Sequence, residues 1–290
     1  MPLRRLGMRY AAPEHPRNLT SWGLSSTFAI MPTDPRFASA PADCYARHGF
    51  VIASVFDQNQ VRLLERFAVK WVYGLFAEWT EGREHDLPLG AYHRWCEDIG
   101  VDHSATFRAA NRHTVPPEDV ERVILTARVR ETLRILGLSR FEFWQEGPGW
   151  LAFRFVRPGM GDGYPYTRKE WGVAKTVVSC WIPIIGHDPP QTLGMVSGSH
   201  RRDYEKYLPE DDKFAKGEYR LAEPVGDLEV YRPTLDRGEA IFFHPKLLHS
   251  EDVLGGDVTR LSLEVRFSPL AGSPGKGAES LARRGSDDGA

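Results

Sequence analysis

The sequence predicts an α+β fold in which helices come first and a double-stranded β-helix, a jelly roll of cupin-like type, forms the C-terminal half. The first observation is an apolar repeat of three to four residues over 59–79 and 117–136, which is typical of amphipathic helices. The second is a change of pattern after Phe141, where short apolar segments alternate with Gly and Pro clusters. Segments at that spacing favour a sandwich or barrel. We therefore expect helices packed on one side of a β-rich body.

Each predicted helix has one apolar face. In the first helix Asp57 or Asn59 is expected to cap the N-terminus, and the second begins with acidic residues that suit a helix dipole. A shorter helix is expected to lead into a Gly-Phe-Val-Ile strand within residues 43–52. The inward-facing residues are expected to be Val61, Leu64, Phe67, Ala68, Trp71 and Leu75 in the first helix, and Val120, Val123, Ile124, Ala127 and Leu133 in the second.

The predicted strands are short and follow one another through the second half of the chain. Their bounds are 150–156, 176–185, 194–196, 239–243 and 261–267. Residues 1–42 are rich in Pro, Ser, Ala and Arg without periodicity, which predicts an N-terminal arm. Residues 270–290 are small and polar, which predicts a disordered tail. One domain is thus expected over residues 43–269.

Composition excludes several classes of function. A net charge of −2 gives no reason to expect nucleic acid or an anionic membrane as partner. No apolar run reaches the ~18 residues that a membrane span needs, and none resembles a signal peptide. The three cysteines (Cys44, Cys96 and Cys180) fit neither a disulfide framework nor a CxxC metal site, which favours a reducing cytoplasmic compartment. We expect a soluble protein with a small-molecule substrate, and a homo-oligomer or protein partner stays open.

Four segments carry a family resemblance. They are 48–51 (HGFV), 193–200 (LGMVSGSH), 237–250 (RGEAIFFHPKLLHS) and 259–267 (TRLSLEVRF). In order and spacing they resemble the phytanoyl-CoA dioxygenase family of oxygenases that use Fe(II) and 2-oxoglutarate to hydroxylate small molecules. The resemblance covers roughly residues 43–268, and it implies the jelly-roll fold and both cofactors.

The resemblance assigns roles to three residues. His249 corresponds to the distal iron-binding histidine, and a neutral imidazole is a good ligand for ferrous iron. Arg260 corresponds to the arginine that binds the far carboxylate of 2-oxoglutarate, for which a guanidinium offers a bidentate pair. Ser262 lies two residues further along the same strand and therefore faces the same way. We expect these three to line one interior pocket, and His200 and His244 to be structural.

The resemblance also predicts an incomplete iron site. The family supplies its other two ligands as His-x-Asp early in the barrel. When residues 157–171 are aligned on their Arg-Pro-Gly start and on Trp171, those positions fall on Thr167 and Lys169. Of the ten histidines, His249 alone is followed two residues later by an acid, Glu251. No histidine follows it, so the family's ligand order cannot be assembled.

Three hypotheses remain open. In the first, the chain is an active oxygenase with unusual ligands, for which Asp162, Glu170 or the pair Tyr164 and Tyr166 would be candidates. Alternatively, it is a metal-independent enzyme on the same scaffold, with Lys169, Tyr164 and Tyr166 as acid–base groups. The third hypothesis is a non-catalytic relative that binds a small ligand or a partner protein, because a fold alone does not fix a function.

Overall fold

The computed structural model describes residues 39–75, 89–98, 100–103, 117–144, 151–160, 166–168, 177–208, 219–222, 224, 228–252 and 255–270. Most of the predicted arm and all of the predicted tail except Leu270 lie outside these residues. The helices are α1 (Pro41–His48), α2 (Gln58–Leu75), α3 (Tyr92–Asp98), α4 (Pro117–Ile124) and α5 (Ala127–Ile135). None of the helices in the described segments is long and apolar enough to cross a membrane.

The strands are mostly short. They are β1 (Phe50–Ser54), β2 (Phe141–Phe143), β3 (Leu151–Val156), β4 (Val178–Ile185), β5 (Gly194–Val196), β6 (Lys206–Tyr207), β7 (Arg220–Leu221), β8 (Val230–Tyr231), β9 (Glu239–Phe243), β10 (His249–Ser250) and β11 (Arg260–Pro269). Every pairing between them is antiparallel. An antiparallel, sheet-rich body with a few helices agrees with the predicted α+β class.

Asp57 is the residue that caps α2. Its Oδ1 accepts hydrogen bonds from the backbone N–H groups of Asn59 (2.8 Å) and Gln60 (2.9 Å). The Gln60 side chain in turn accepts from the Asp57 N–H at 2.7 Å, which completes a reciprocal capping box. Four of the predicted inward residues of α2 are buried, namely Val61, Leu64, Ala68 and Trp71.

The prediction of a single helix over residues 117–136 is wrong. The chain forms two helices, α4 and α5, because Thr126 adopts an extended backbone and accepts a hydrogen bond from the Val129 N–H at 3.1 Å, as a helix cap does. Its hydroxyl also donates to the Val55 carbonyl at 2.9 Å, which ties the break to β1. Because a new helix begins at Ala127, its residues do not continue the apolar face of α4, and Ala127 is exposed rather than inward-facing.

The larger sheet has six strands in the order β1-β9-β4-β11-β2, with β3 also paired to β11. One face packs on the helices: Phe153 of β3, for example, lies 4.7 Å from the Trp71 ring of α2, measured between centroids. Side chains alternate along each strand, so every second residue projects from the opposite face of the sheet. Aromatic and aliphatic side chains of that second face pack against the smaller sheet, among them Phe50, Ile52, Trp181, Ile241 and Phe243.

The smaller sheet has the order β10-β5-β8. Its edge strand β10 is extended by Thr167, which forms a bridge with His249. On the other side of this segment, the Tyr166 carbonyl accepts from the Leu221 N–H of β7 at 3.0 Å. The two layers therefore enclose an interior between β11 and β10, and the buried side chains of His249, Arg260 and Ser262 belong to it.

Candidate functional site

His249 begins β10 and is buried, with 1% of its surface exposed. Its Nδ1 lies 2.9 Å from the Leu247 carbonyl. A carbonyl can only accept, so Nδ1 carries a proton, and the tautomer that can bind a metal through Nε2 is the one this contact favours. The Phe243 ring packs at 4.8 Å from the imidazole centroid and holds its orientation. Such an imidazole, fixed by a backbone acceptor, is suited to bind a metal.

Thr167 lies directly across from His249. The two residues exchange both backbone hydrogen bonds, at 2.9 and 3.1 Å, and so form a hydrogen-bonded antiparallel pair. Side chains of such a pair share one face, with Cβ atoms about 5 Å apart, and could both reach one ion. The Thr167 hydroxyl, however, donates to the Tyr219 carbonyl at 2.7 Å. The neighbour of His249 is thus a neutral alcohol with its proton already engaged.

Lys169, Tyr164, Asp162 and Glu170 lie outside the described residues. The residue between Thr167 and Lys169, Arg168, is buried and donates to the carbonyls of Ser199 and Arg202, the latter at 2.5 Å. Its guanidinium stacks 4.6 Å from the Tyr204 ring centroid. Arg168 therefore serves the packing of the Gly-Ser-His turn.

Arg260 begins β11 and has no exposed surface. Its Nη1 donates to the Glu251 carbonyl at 2.8 Å, and its guanidinium carbon lies 5.9 Å from the Trp181 ring centroid. Burial, aided by nearby Arg154 and Arg232, lowers the pKa of Arg260 to about 10. The guanidinium nevertheless stays charged at neutral pH, so the interior contains a permanent cation.

A carboxylate lies beside this cation. The Oε2 atom of Glu251 is 3.9 Å from Nη2 of Arg260 and 3.6 Å from Nε of Arg154. Glu251 is 2% exposed, and both arginines are buried. Arg154 comes from β3, where it is the one charged residue in an apolar strand, LAFRFV. These three side chains form a buried ionic cluster, Arg154–Glu251–Arg260.

Ser262 lies on the same face of β11, directly opposite Arg154 of β3. Its hydroxyl is fully buried, and no hydrogen-bond partner for it is present among the described residues. The predicted trio of His249, Arg260 and Ser262 is therefore buried in the interior between the two sheets. Arg260 therefore does not lie on the outer surface, and its co-substrate role stays a prediction.

Tyr166 is half-buried beside Arg232. Burial raises the pKa of its phenol, although the hydrogen bond with Arg232 opposes that rise. A Cβ placed at Gly194 would lie 3.2 Å from the phenolic oxygen and 3.0 Å from Nη2 of Arg232, so the absence of a side chain at Gly194 leaves room for Tyr166 and Arg232. A phenol of raised pKa stays protonated at neutral pH and can donate a hydrogen bond, but it is a poor base.

His200 and His244 lie outside this interior cluster. Nε2 of His200 is 3.0 Å from the Ala46 carbonyl, and the two imidazole centroids are 5.3 Å apart. Burial lowers the pKa of His200 to about 4. Since β9 ends at Phe243 and a turn follows, the alternation of a regular strand does not apply to His244 and His249.

An iron ion does not fit the described residues. His249 has the right tautomer, but no group of three or more His, Cys, Asp or Glu side chains within the described ranges could hold a metal. For 2-oxoglutarate the donor types are present in Arg260 and Ser262, yet the guanidinium already faces Glu251. The sequence analysis did not single out Arg154 or Arg232. Each could have been found as a charged residue at an apolar strand, since Arg154 lies within β3 and Arg232 directly follows β8.

No protein-family model and no curated protein matches the chain. Among solved structures, AviO1 from Streptomyces viridochromogenes Tue57 aligns at 16% identity with a TM-score of 0.51, over 80% of this chain and 94% of that one. EvdMO1 aligns at 19% identity and 0.50, over 78% of this chain and 48% of that one. The epimerase SnoN, solved with Fe3+, alpha ketoglutarate and nogalamycin RO, aligns at 17% identity with a TM-score of 0.48, over 78% of this chain and 81% of that one. At such identities AviO1 and EvdMO1 establish the fold, and this chain shares their cupin-like, antiparallel architecture.

Proposed function

We propose that this chain is a phytanoyl-CoA-dioxygenase-like protein, with a double-stranded β-helix over residues 43–269, that has lost the family's iron-dependent hydroxylation. On this proposal it binds a small molecule in the interior between the sheets. The observation that carries the proposal is the direct pairing of Thr167 with His249. The residue paired with His249 is well placed to supply a second ligand to the same ion, and that residue is a threonine.

The chemistry of the replacement supports the proposal. A ferrous site of this kind needs two imidazoles and one carboxylate on one side, which leaves open positions for co-substrate and oxygen. Thr167 offers a neutral hydroxyl whose proton is bound to the Tyr219 carbonyl. Lys169, which the alignment puts in the carboxylate's place, carries a positive charge that repels a dication. One protein ligand is then left where three are required.

The metal-independent hypothesis has less support. Tyr166 keeps its proton because burial raises its pKa, so it can act as a hydrogen-bond donor but not as a base. Its phenol also lies beside the positively charged Arg232. Ligand binding without turnover is therefore the function that the described geometry favours.

The test is calorimetric titration of Fe(II) into the purified protein without oxygen. We expect the wild type to bind weakly and to consume little 2-oxoglutarate. The double variant Thr167→His, Lys169→Asp should bind Fe(II) at least tenfold more tightly, about 1.4 kcal/mol. Adding His249→Ala to the double variant is the matched control and should remove the gain.

Two results would contradict the proposal. Stoichiometric iron in the wild type, lost in His249→Ala, would mean that a residue such as Asp162 or Glu170 completes an active site. No gain in the double variant would mean that Thr167 and Lys169 are not the family's ligand positions.

A further inference from the structure

We infer that Glu251 is a built-in carboxylate that occupies the buried arginines Arg154 and Arg260, so that the wild-type interior excludes 2-oxoglutarate and similar dicarboxylates. The inference rests on the proposed function in that it concerns the same interior site. It defines the ligand class by exclusion: a molecule that binds there does not present a free carboxylate to Arg260.

The side chain of Glu251 places a carboxylate beside both arginines. Its Oε2 lies between Nε of Arg154 at 3.6 Å and Nη2 of Arg260 at 3.9 Å. All three side chains are nine-tenths buried or more. A carboxylate that approaches two guanidiniums in a dry interior is strongly favoured electrostatically, because the surroundings screen the charges poorly.

Glu251 is anchored there by its backbone as well as its side chain. The carbonyl of the same residue accepts from Nη1 of Arg260 at 2.8 Å. The guanidinium is therefore bound at one end to the main chain and faces the carboxylate at the other. An external carboxylate would have to displace the side chain while the main chain stays attached, or else share the site with a second negative charge.

Nearby carboxylates already offset part of the positive charge in this cluster. Arg260 loses proton affinity through burial and through Arg154 and Arg232, while Glu251 and Asp252 oppose that loss. Glu251 is the carboxylate that faces both Arg154 and Arg260, so an added anion would compete with it for the same two guanidiniums. Removing one partner of such a buried pair leaves an uncompensated charge, which creates a demand for an anion.

The contacts of Glu251 with the two arginines are long, so another carboxylate could bind these arginines more closely. Guanidinium–carboxylate pairs with good geometry have N···O distances of about 2.7–2.9 Å, shorter than those of Glu251. The buried Ser262 hydroxyl lies opposite Arg154 and has no partner within the described residues. Once Glu251 is shortened, a free carboxylate could approach both arginines and this hydroxyl more closely.

The experiment uses the full chain without metal and 2-oxoglutarate as the probe, with glutarate as a second dicarboxylate. Binding is measured by calorimetry and by the shift in melting temperature. Glu251→Ala removes the charge and the bulk, whereas Glu251→Gln removes the charge alone and preserves the packing. We expect affinity to rise from wild type to Glu251→Gln to Glu251→Ala, with at least a tenfold gain for the alanine variant. If Glu251→Ala does not fold, the test rests on Glu251→Gln, whose affinity for 2-oxoglutarate should be several-fold higher than that of the wild type.

Two matched controls define the site. Glu264→Gln changes another buried glutamate of the same interior, one that pairs with Arg266 at 2.9 Å, and should bring no gain. Arg260→Met combined with Glu251→Gln should abolish the gain. The inference is overturned if the wild type already binds 2-oxoglutarate as tightly as the variants, or if neither variant binds it more tightly. This readout involves no iron, so a failure here leaves the iron titration, and with it the proposed function, to be judged separately.

Discussion

Replacement of Gly49 by alanine tests the packing of the segment that joins α1 to β1. Gly49 ends α1 with φ +81°, in the left-handed region, and its N–H donates to the Tyr45 carbonyl at 2.9 Å. An alanine Cβ would lie 2.5 Å from Nδ1 of His200 and 3.0 Å from a methyl carbon of Leu247. The left-handed backbone costs an alanine about 1–2 kcal/mol. Overpacking against buried neighbours costs about 1–3 kcal/mol more. The free energy of unfolding should therefore fall by about 2–5 kcal/mol in all.

The assay is urea unfolding followed by circular dichroism and tryptophan fluorescence. Gly100→Ala is the matched control, because Gly100 also has a left-handed backbone (φ +68°) but, among the described residues, no atom within 4 Å of the added Cβ. The control should lose only the backbone contribution of about 1–2 kcal/mol. Equal losses in the two variants would show that His200 does not pack beneath Gly49, and the structural role assigned to His200 would fail.

Two further predictions concern buried titratable groups. Burial lowers the pKa of His200 to about 4, below the value of about 6.5 in an unfolded chain, so the unfolded state binds more protons between these values. The free energy of unfolding should thus fall by up to about 3 kcal/mol as pH drops from about 6.5 to 4. His200→Gln should remove that part of the pH dependence. An unchanged dependence of stability on pH in the variant would contradict the assignment of this effect to His200. Cys44, Cys96 and Cys180 are buried, and burial raises the pKa of Cys44 to about 11 and that of Cys180 as well. Iodoacetamide should alkylate them only after unfolding, as counted by mass spectrometry, and rapid labelling of the native protein would refute this.

The sequence predicted strands best where alternating or apolar runs end at turn residues. Strands β5 and β9 have the predicted bounds, because Gly194 and Gly238 mark their beginnings. The break between α4 and α5 could not be read from periodicity, since the apolar spacing continues across it. Thr126 caps α5 and also donates to the Val55 carbonyl, a tertiary contact that periodicity does not reveal. The two-residue strands likewise depend on their partners rather than on local pattern.

For the site, the motif spacing predicted that His249, Arg260 and Ser262 are interior residues, and the structure buries all three. It did not predict the ion cluster, because Arg154 and Glu251 come from distant parts of the chain and meet only when β3 pairs with β11. A charged residue within an apolar strand is the local sign of such a partner, since an unpaired buried charge is very costly. That sign identifies Arg154 but not the residue that compensates it.

The inner face of β11 carries four polar residues in succession, and its charged residues have partners within the protein. Arg260 faces Glu251, and Arg266 pairs with Glu264 at 2.9 Å. Buried polar groups destabilise a fold unless partners of this kind are present. Since Glu251 also faces Arg154, a ligand carboxylate would have to compete with it for both guanidiniums. If the proposed function and this competition both hold, an uncharged polar molecule is the ligand class that we expect in this interior.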